Sequence, residues 1–176
     1  MPGMDAAVND YDIRVATTAD AEALFRFGET LLAETSFFVR GPGERARSVG
    51  EMREVIERFD TLPHYLLLNA WQGAEAVAEA VAICGDFSRN QYTATVGIGV
   101  LADHSGRGLG RVLMQELDGF ACDLGLRRLE LTVMAHNTAA RTLYKKVGYV
   151  EEGTKRDSLF VDGGYVSEIM MAKVFA

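Results

Sequence analysis

Apolar residues recur along this chain at two spacings. The clearest is helical. Leu109, Val112, Leu113, Leu117, Phe120 and Leu124 return every three or four positions and predict a helix over Arg107–Leu124. Leu24, Phe27 and Leu31 predict a helix over about Ala19–Ala33, with Thr17, Thr18 and Asp20 as cap candidates. The amphipathic, charge-rich stretch Glu44–Phe59 predicts another, closed off by Pro63. Asn137–Val147 predicts a short last helix, with Ala140, Leu143 and Val147 inward and Gly148 as its stop.

The other spacing is two. Ile13 and Val15 against Arg14 predict a strand over Tyr11–Ala16, and Leu129, Leu131 and Val133 against Glu130 and Thr132 predict one over Arg128–Met134. His64–Trp71, Val77–Phe87 and Gln91–Leu101 are apolar runs parted by the turns Gln72-Gly73-Ala74 and Ser88-Arg89-Asn90, which predicts an antiparallel meander. Tyr149–Gly153 and Tyr165–Phe175 close the chain, with Asp162-Gly163-Gly164 as the turn between their arms. The order β-α-α-β-β-β-α-β-α-β-β predicts an α/β fold whose central sheet is mixed, mostly antiparallel and flanked by helices. Three strands in a row exclude a uniform doubly wound sheet. Residues 1–10 read as a loose arm and 11–176 as a single domain. Thr35–Gly43, with Phe37 and Phe38, reads as an exposed loop that lines a pocket or covers the core.

Composition narrows the class. The 176 residues suffice for one domain, or two very small ones, and the 48% hydrophobic and 24% charged content excludes a disordered chain or a fibre. Eighteen Lys and Arg against 25 Asp and Glu give a net charge of −7, which argues against a nonspecific nucleic-acid binder and suits a cationic substrate. Cys84 and Cys122 lie far apart without CxxC spacing, so a disulfide framework or zinc site is not expected, and two small buried thiols fit a reducing cytoplasm. The start MPGMDAAVNDYD has no basic or apolar region of a signal peptide, and no apolar run approaches the roughly 20 residues of a membrane span.

The chemistry concentrates at Val100-Leu101-Ala102-Asp103-His104-Ser105-Gly106-Arg107-Gly108-Leu109-Gly110-Arg111, where a strand runs through a glycine-rich loop into the strongest helix. A helix start offers unpaired amides and partial positive charge, and glycines let a phosphate approach them. Arg107 and Arg111 add charge-assisted donors. No GxxxxGK[ST] run exists. Gly106-x-Gly108 fails the dinucleotide fingerprint at Arg111, and Gly97-x-Gly99-x-x-Ala102 matches it where no helix opens. The alternative reading is a turn that only closes a strand onto a helix.

Ser105-Gly106-Arg107-Gly108-Leu109-Gly110, after the strand Val96-Gly97-Ile98-Gly99-Val100, resembles the (Arg/Gln)-x-x-Gly-x-(Gly/Ala) phosphate signature of the GCN5-related N-acetyltransferases, with Ser105 in place of Arg or Gln. Asn137-Thr138-Ala139-Ala140-Arg141-Thr142-Leu143-Tyr144-Lys145-Lys146-Val147-Gly148-Tyr149 is similar to that family's N-x-x-A-x-x-x-Y-x-(K/R)-x-G-(F/Y) segment. The tail from Gly153 to Met170 resembles, more weakly, the branch that acetylates amino acids or protein N-termini.

The resemblance implies acetyl-CoA as co-substrate, no metal, and a primary amine as acceptor. It implies that Ser105, Gly106, Arg107, Gly108, Leu109, Gly110 and Arg111 bind the pyrophosphate, and that Ile98, Gly99 and Val100 pair with the pantetheine arm. Asn137 binds that arm or a nearby water, or caps its helix, or both. Tyr144 is implied as the general acid toward the departing thiolate; a core tyrosine is the alternative. The strand before the loop, Thr93-Ala94-Thr95-Val96-Gly97, lacks the Glu that many relatives use as base, leaving Glu79, His136 or a water chain.

Phe37, Phe38 and Tyr165 are candidates for an apolar acceptor pocket, against ordinary packing. Glu29, Glu34 and Glu168 are candidates to neutralise a cationic acceptor, against solvated surface. Lys145 and Lys146 are candidates to attract the adenosine phosphates, against an exposed helix face. Protein N-termini as acceptors and a noncatalytic acyl-CoA sensor are the competing functions, and family analogy offers a homodimer.

Overall fold

The computed structural model describes residues 10–176. All but Asp10 of the expected N-terminal arm therefore lies outside the described residues. The elements are β1 (Asp12–Val15), α1 (Ala21–Glu34), α2 (Val49–Thr61), β2 (Tyr65–Gln72), β3 (Glu75–Cys84), β4 (Thr93–Val100), α3 (Leu109–Asp123), β5 (Arg128–Met134), α4 (Thr138–Lys146), β6 (Val150–Val161) and β7 (Gly164–Val174). This is the predicted order. The strands form a seven-stranded sheet in the order β1-β2-β3-β4-β5-β7-β6. Only the β4–β5 pair is parallel, and α3 is its crossover.

Each face of the sheet is covered by a helix pair. On one side Leu109, Leu113, Met114 and Leu117 of α3 pack on Ala78, Ala80 and Ala82 of β3, joined by Tyr144 of α4. Small alanines let α3 sit close to the strands. On the other, Leu24, Phe27 and Leu31 of α1 and Met52 and Ile56 of α2 meet Leu67 and Trp71 of β2. Full burial of such side chains contributes about 1.5–3 kcal/mol each, so these two layers dominate the fold's stability. At the rim, Arg14 stacks on Trp71 at 4.2 Å and grips Asp20 with two 2.8 Å hydrogen bonds. That grip, with the Thr17 amide and hydroxyl, holds the Asp20 carboxyl down at about 2.

Three of the boundaries that differ from the pattern have a clear physical cause. The second helix starts at Val49 rather than Glu44, because Ser48 caps it: the Ser48 hydroxyl accepts the Glu51 amide at 3.2 Å, and the Glu51 carboxylate accepts the Arg47 amide at 2.8 Å. The third starts at Leu109 rather than Arg107, because Gly108 holds a left-handed φ of +88°. The penultimate strand continues past Gly153 to Val161. Its polar middle is edge strand, hydrogen-bonded on one side only, so it carries no alternation that marks a strand. Among the described residues no helix is long and apolar enough to cross a membrane.

Candidate active site

β4 and β5 pair only over Thr93–Thr95 and Arg128–Glu130, then part. Beyond that point β4 keeps β3 as its partner through Val100, and β5 keeps β7 through Met134. Val96 to Val100 therefore present one row of backbone groups to no neighbouring strand. The wedge is a cavity of about 410 Å³, lined by Val96 to Val100 on one side and Thr132, Val133 and Met134 on the other, with Asn137, Ala140 and Tyr144 of α4 closing it.

Gly97 and Gly99 border both the wedge and the α1 side of the sheet. A Cβ at Gly99 would lie 2.5 Å from Leu31 and 3.1 Å from Phe38, so the bare position there admits the packing of α1 and its following loop.

The glycine-rich loop lies at the same end of β4. A short 3-10 turn over Ala102–His104 leads out of the strand. Ser105 donates its hydroxyl to the Leu101 carbonyl at 3.2 Å, and Glu34 accepts the Ala102 amide at 2.8 Å. Gly106 (φ +74°) and Gly108 (φ +88°) then take left-handed conformations that L side chains resist by about 1–2 kcal/mol. The first intrahelical bonds of α3 run from Arg111 and Val112 to the Gly108 carbonyl, at 3.0 and 3.2 Å. Among the described residues the amides from Arg107 to Gly110 have no acceptor, which leaves them to meet an anion. Arg107 reaches the Tyr11 hydroxyl at 3.4 Å, which also bonds His104 Nδ1 at 2.9 Å. Arg111 is exposed.

Asn137 both caps and lines. Its Oδ1 accepts the Ala140 amide at 3.1 Å, and its side chain borders the cavity. Tyr144 is 7% exposed at the cavity wall, with its ring 5.9 Å from that of Tyr149. Burial penalises its phenolate and pushes the Tyr144 hydroxyl up to about 12, so it keeps its proton throughout the physiological range.

The other candidates separate. A second cavity, of about 700 Å³, lies under α1 and α2 and shares Leu31, Phe38 and Gly97 to Gly99 with the first. Glu79 lines it, bound to Arg45 in a half-sealed ion pair at 14% and 12% side-chain exposure. His136 is exposed and stacks on Phe37 at 5.2 Å. Phe37 and Phe38 line the first cavity, whereas Tyr165 is 73% exposed and packs on Phe160. Glu34 is exposed and spent on the Ala102 amide, Glu29 is half-buried, and Glu168 is buried at 6% in the wall of the first cavity. Lys145 pairs with Glu151 at 3.0 Å; Lys146 is exposed.

The polar pair Arg45–Glu79 had no sequence signal, because its partners lie 34 residues apart. Nor did the burial of Glu168, which depends on β7 lying inside the sheet.

Comparison with known proteins points one way. The family described as "Acetyltransferase (GNAT) family" matches residues 32–149, more than half of the chain. An L-amino acid N-acetyltransferase, AaaT, of Escherichia coli (strain K12) is 39% identical over 88 residues, which is 49% of this chain and 54% of that protein. The match thus spans about half the length of that relative. An acetyltransferase of the GNAT family from Streptococcus pneumoniae superposes with a TM-score of 0.89 at 24% identity, covering 94% of this chain and 99% of that one. YncA of Salmonella typhimurium, a putative acetyltransferase solved with its cofactor acetyl-CoA, gives 0.84 at 20% identity over 96% and 95%. At these identities the two structures establish likeness of fold.

Proposed function

The chain belongs to the acetyltransferase (GNAT) family, and from that premise we propose that it moves an acetyl group from acetyl-CoA to a primary amine of a small molecule, an amino acid foremost. One observation carries the reading: a single cavity runs from Ala102 and Ser105, where the glycine-rich loop begins, along an unpaired strand edge, to a buried protonated tyrosine. The amides from Arg107 to Gly110 hold the pyrophosphate, with the Arg107 and Arg111 side chains adding charge. The free edge of Ile98–Val100 binds the pantetheine arm as an added strand would, and Asn137 borders it. The acceptor amine attacks the thioester carbonyl carbon, the C–S bond breaks, and Tyr144 gives its proton to the departing sulfur.

The amino-acid acceptor rests on the name of the Escherichia coli relative and on the second cavity, whose volume of about 700 Å³ suits a small molecule. Residues 11–176 act as one domain. Cys84 is buried, whereas Cys122, expected to be buried, is exposed at the end of α3; both thiols are unpaired, which suits the cytoplasm, where thiols stay reduced.

The test is thiol release from acetyl-CoA across amino acids, polyamines, aminoglycosides and short peptides. Acceptor-dependent release with amino acids is the expected result. Release with peptides alone would move the reading to protein N-termini. Acetyl-CoA binding without release from any acceptor would favour a sensor, and no binding at all would sink the reading.

A further inference from the structure

The wall of the first cavity holds a carboxylate that the transfer chemistry above does not use. Glu168 sits on β7, opposite Met134 of β5 and Lys155 of β6. It is 6% exposed and lines the same cavity as Tyr144. The Ser158 hydroxyl donates to its Oε2 at 2.9 Å. Among the described residues every ion pair lies elsewhere, so no Lys, Arg or His nitrogen neutralises it. A buried carboxylate without a counter-ion is unfavourable unless a cation completes it.

The backbone is shaped to make this arrangement. β6 breaks register between Lys155 and Leu159, so that Arg156, Asp157 and Ser158 stand against Ser167 alone. Asp157 takes φ +50°, a left-handed conformation for a residue with a side chain, and its amide donates to the Ser167 hydroxyl at 3.1 Å. The Ser167 carbonyl in turn accepts the Ala135 amide at 2.8 Å, tying the bulge to the turn before α4. Bulges that re-aim side chains gather beside active sites, and strained backbone persists where the surroundings over-determine it. Here the bulge brings Ser158 onto Glu168 and Leu159 into the cavity wall.

We infer that Glu168 is the ammonium subsite and proton acceptor of the transfer reaction, with Ser158 as its positioning residue; this rests on the acetyltransferase reading. The acceptor enters as R–NH₃⁺ and pairs with the carboxylate. One N–H proton passes to Glu168, and the freed nitrogen lone pair forms the C–N bond to the acetyl carbon. The C–S bond breaks, and the sulfur takes the Tyr144 proton. The nitrogen's second proton returns through solvent to the Tyr144 oxygen, and Glu168 releases its own to solvent. The balance is ammonium plus thioester giving amide, thiol and one free proton.

The experiment compares wild type with Glu168→Gln, and with Ser158→Ala as a milder variant. It uses two acceptors, one with its amine charged at the assay pH and one with its amine neutral. Acetyl-CoA affinity is measured by calorimetry alongside. We expect Glu168→Gln to keep acetyl-CoA affinity within about 2-fold and to lose about 100-fold in kcat/KM with the charged acceptor, in line with general-base contributions. With the neutral acceptor the loss should shrink to less than about 10-fold, and Ser158→Ala should fall between the wild type and Glu168→Gln. Equal losses with both acceptors, or a variant as active as wild type, would overturn the assignment and leave the transferase reading intact. A wild type that neither binds nor cleaves acetyl-CoA would overturn both.

Discussion

Replacing Tyr144 by Phe removes one oxygen from a residue that is otherwise fully packed. The hydroxyl makes no hydrogen bond to another described residue's side chain or backbone, so its loss orphans no partner, and the ring keeps its contacts in the α3–α4 core. The stability change should therefore stay within about 1 kcal/mol.

The catalytic change should be larger. Burial holds the Tyr144 hydroxyl up at about 12. That secures the proton at neutral pH but makes the group a weaker acid than an exposed phenol, which titrates near about 10. Its contribution should then sit at the lower end of general-acid effects, about 100-fold, or about 2.7 kcal/mol of transition-state stabilisation. The assay is thiol release at saturating acetyl-CoA, with the affinity for acetyl-CoA measured separately. Wild-type kcat should show no alkaline limb from this residue below about pH 11, since the phenol stays protonated there. A Tyr144→Phe enzyme with wild-type kcat would refute the acid role. A loss of kcat accompanied by an equal loss of acetyl-CoA affinity would refute it too, by showing that the residue shapes the slot instead.

Other perturbations test other parts of the account. Gly108→Ala forces a Cβ onto a φ of +88° and should cost about 1–2 kcal/mol in the loop conformation; calorimetry should find acetyl-CoA affinity about 10-fold weaker, and unchanged affinity would show that the loop does not hold the phosphates. Arg45→Ala strands the Glu79 carboxylate on the α1–α2 face and should destabilise by about 3 kcal/mol in a denaturant titration, with Glu79→Gln in the same chain restoring part of it; a single-variant loss under about 1 kcal/mol would contradict that picture. Burial raises Tyr144 and Tyr149 above an unfolded tyrosine, so at alkaline pH the unfolded chain ionises first, binds fewer protons, and gains on the fold as pH rises. From Tyr144 alone the loss should be about 1.4 kcal/mol between pH 9 and 11, and it should vanish in Tyr144→Phe.

Much of this was legible in residue order. The apolar stripe from Leu109 to Leu117 marked α3, the glycine-rich loop marked its unusual entry, and three short-linked apolar runs marked the meander. What escaped the pattern depended on distant neighbours. Glu44 to Arg47 are charged like a helix face, yet Ser48 wins the cap and they stay in the turn. Lys155, Arg156 and Asp157 look like loop, yet pairing with β7 on one side makes them strand around a bulge. Glu168 looks like surface, yet β7 lies between β5 and β6, which places it inside the sheet. The divergence of β4 from β5 likewise has no local signature, because it belongs to a strand pair joined through a whole helix.

The most direct test of the central claim is hydrogen exchange of the chain with and without acetyl-CoA. New protection should appear at two places: the amides from Gly106 to Gly110, and the unpaired stretch of β4 from Val96 to Val100. Protection confined to other segments, or none at saturating acetyl-CoA, would contradict it.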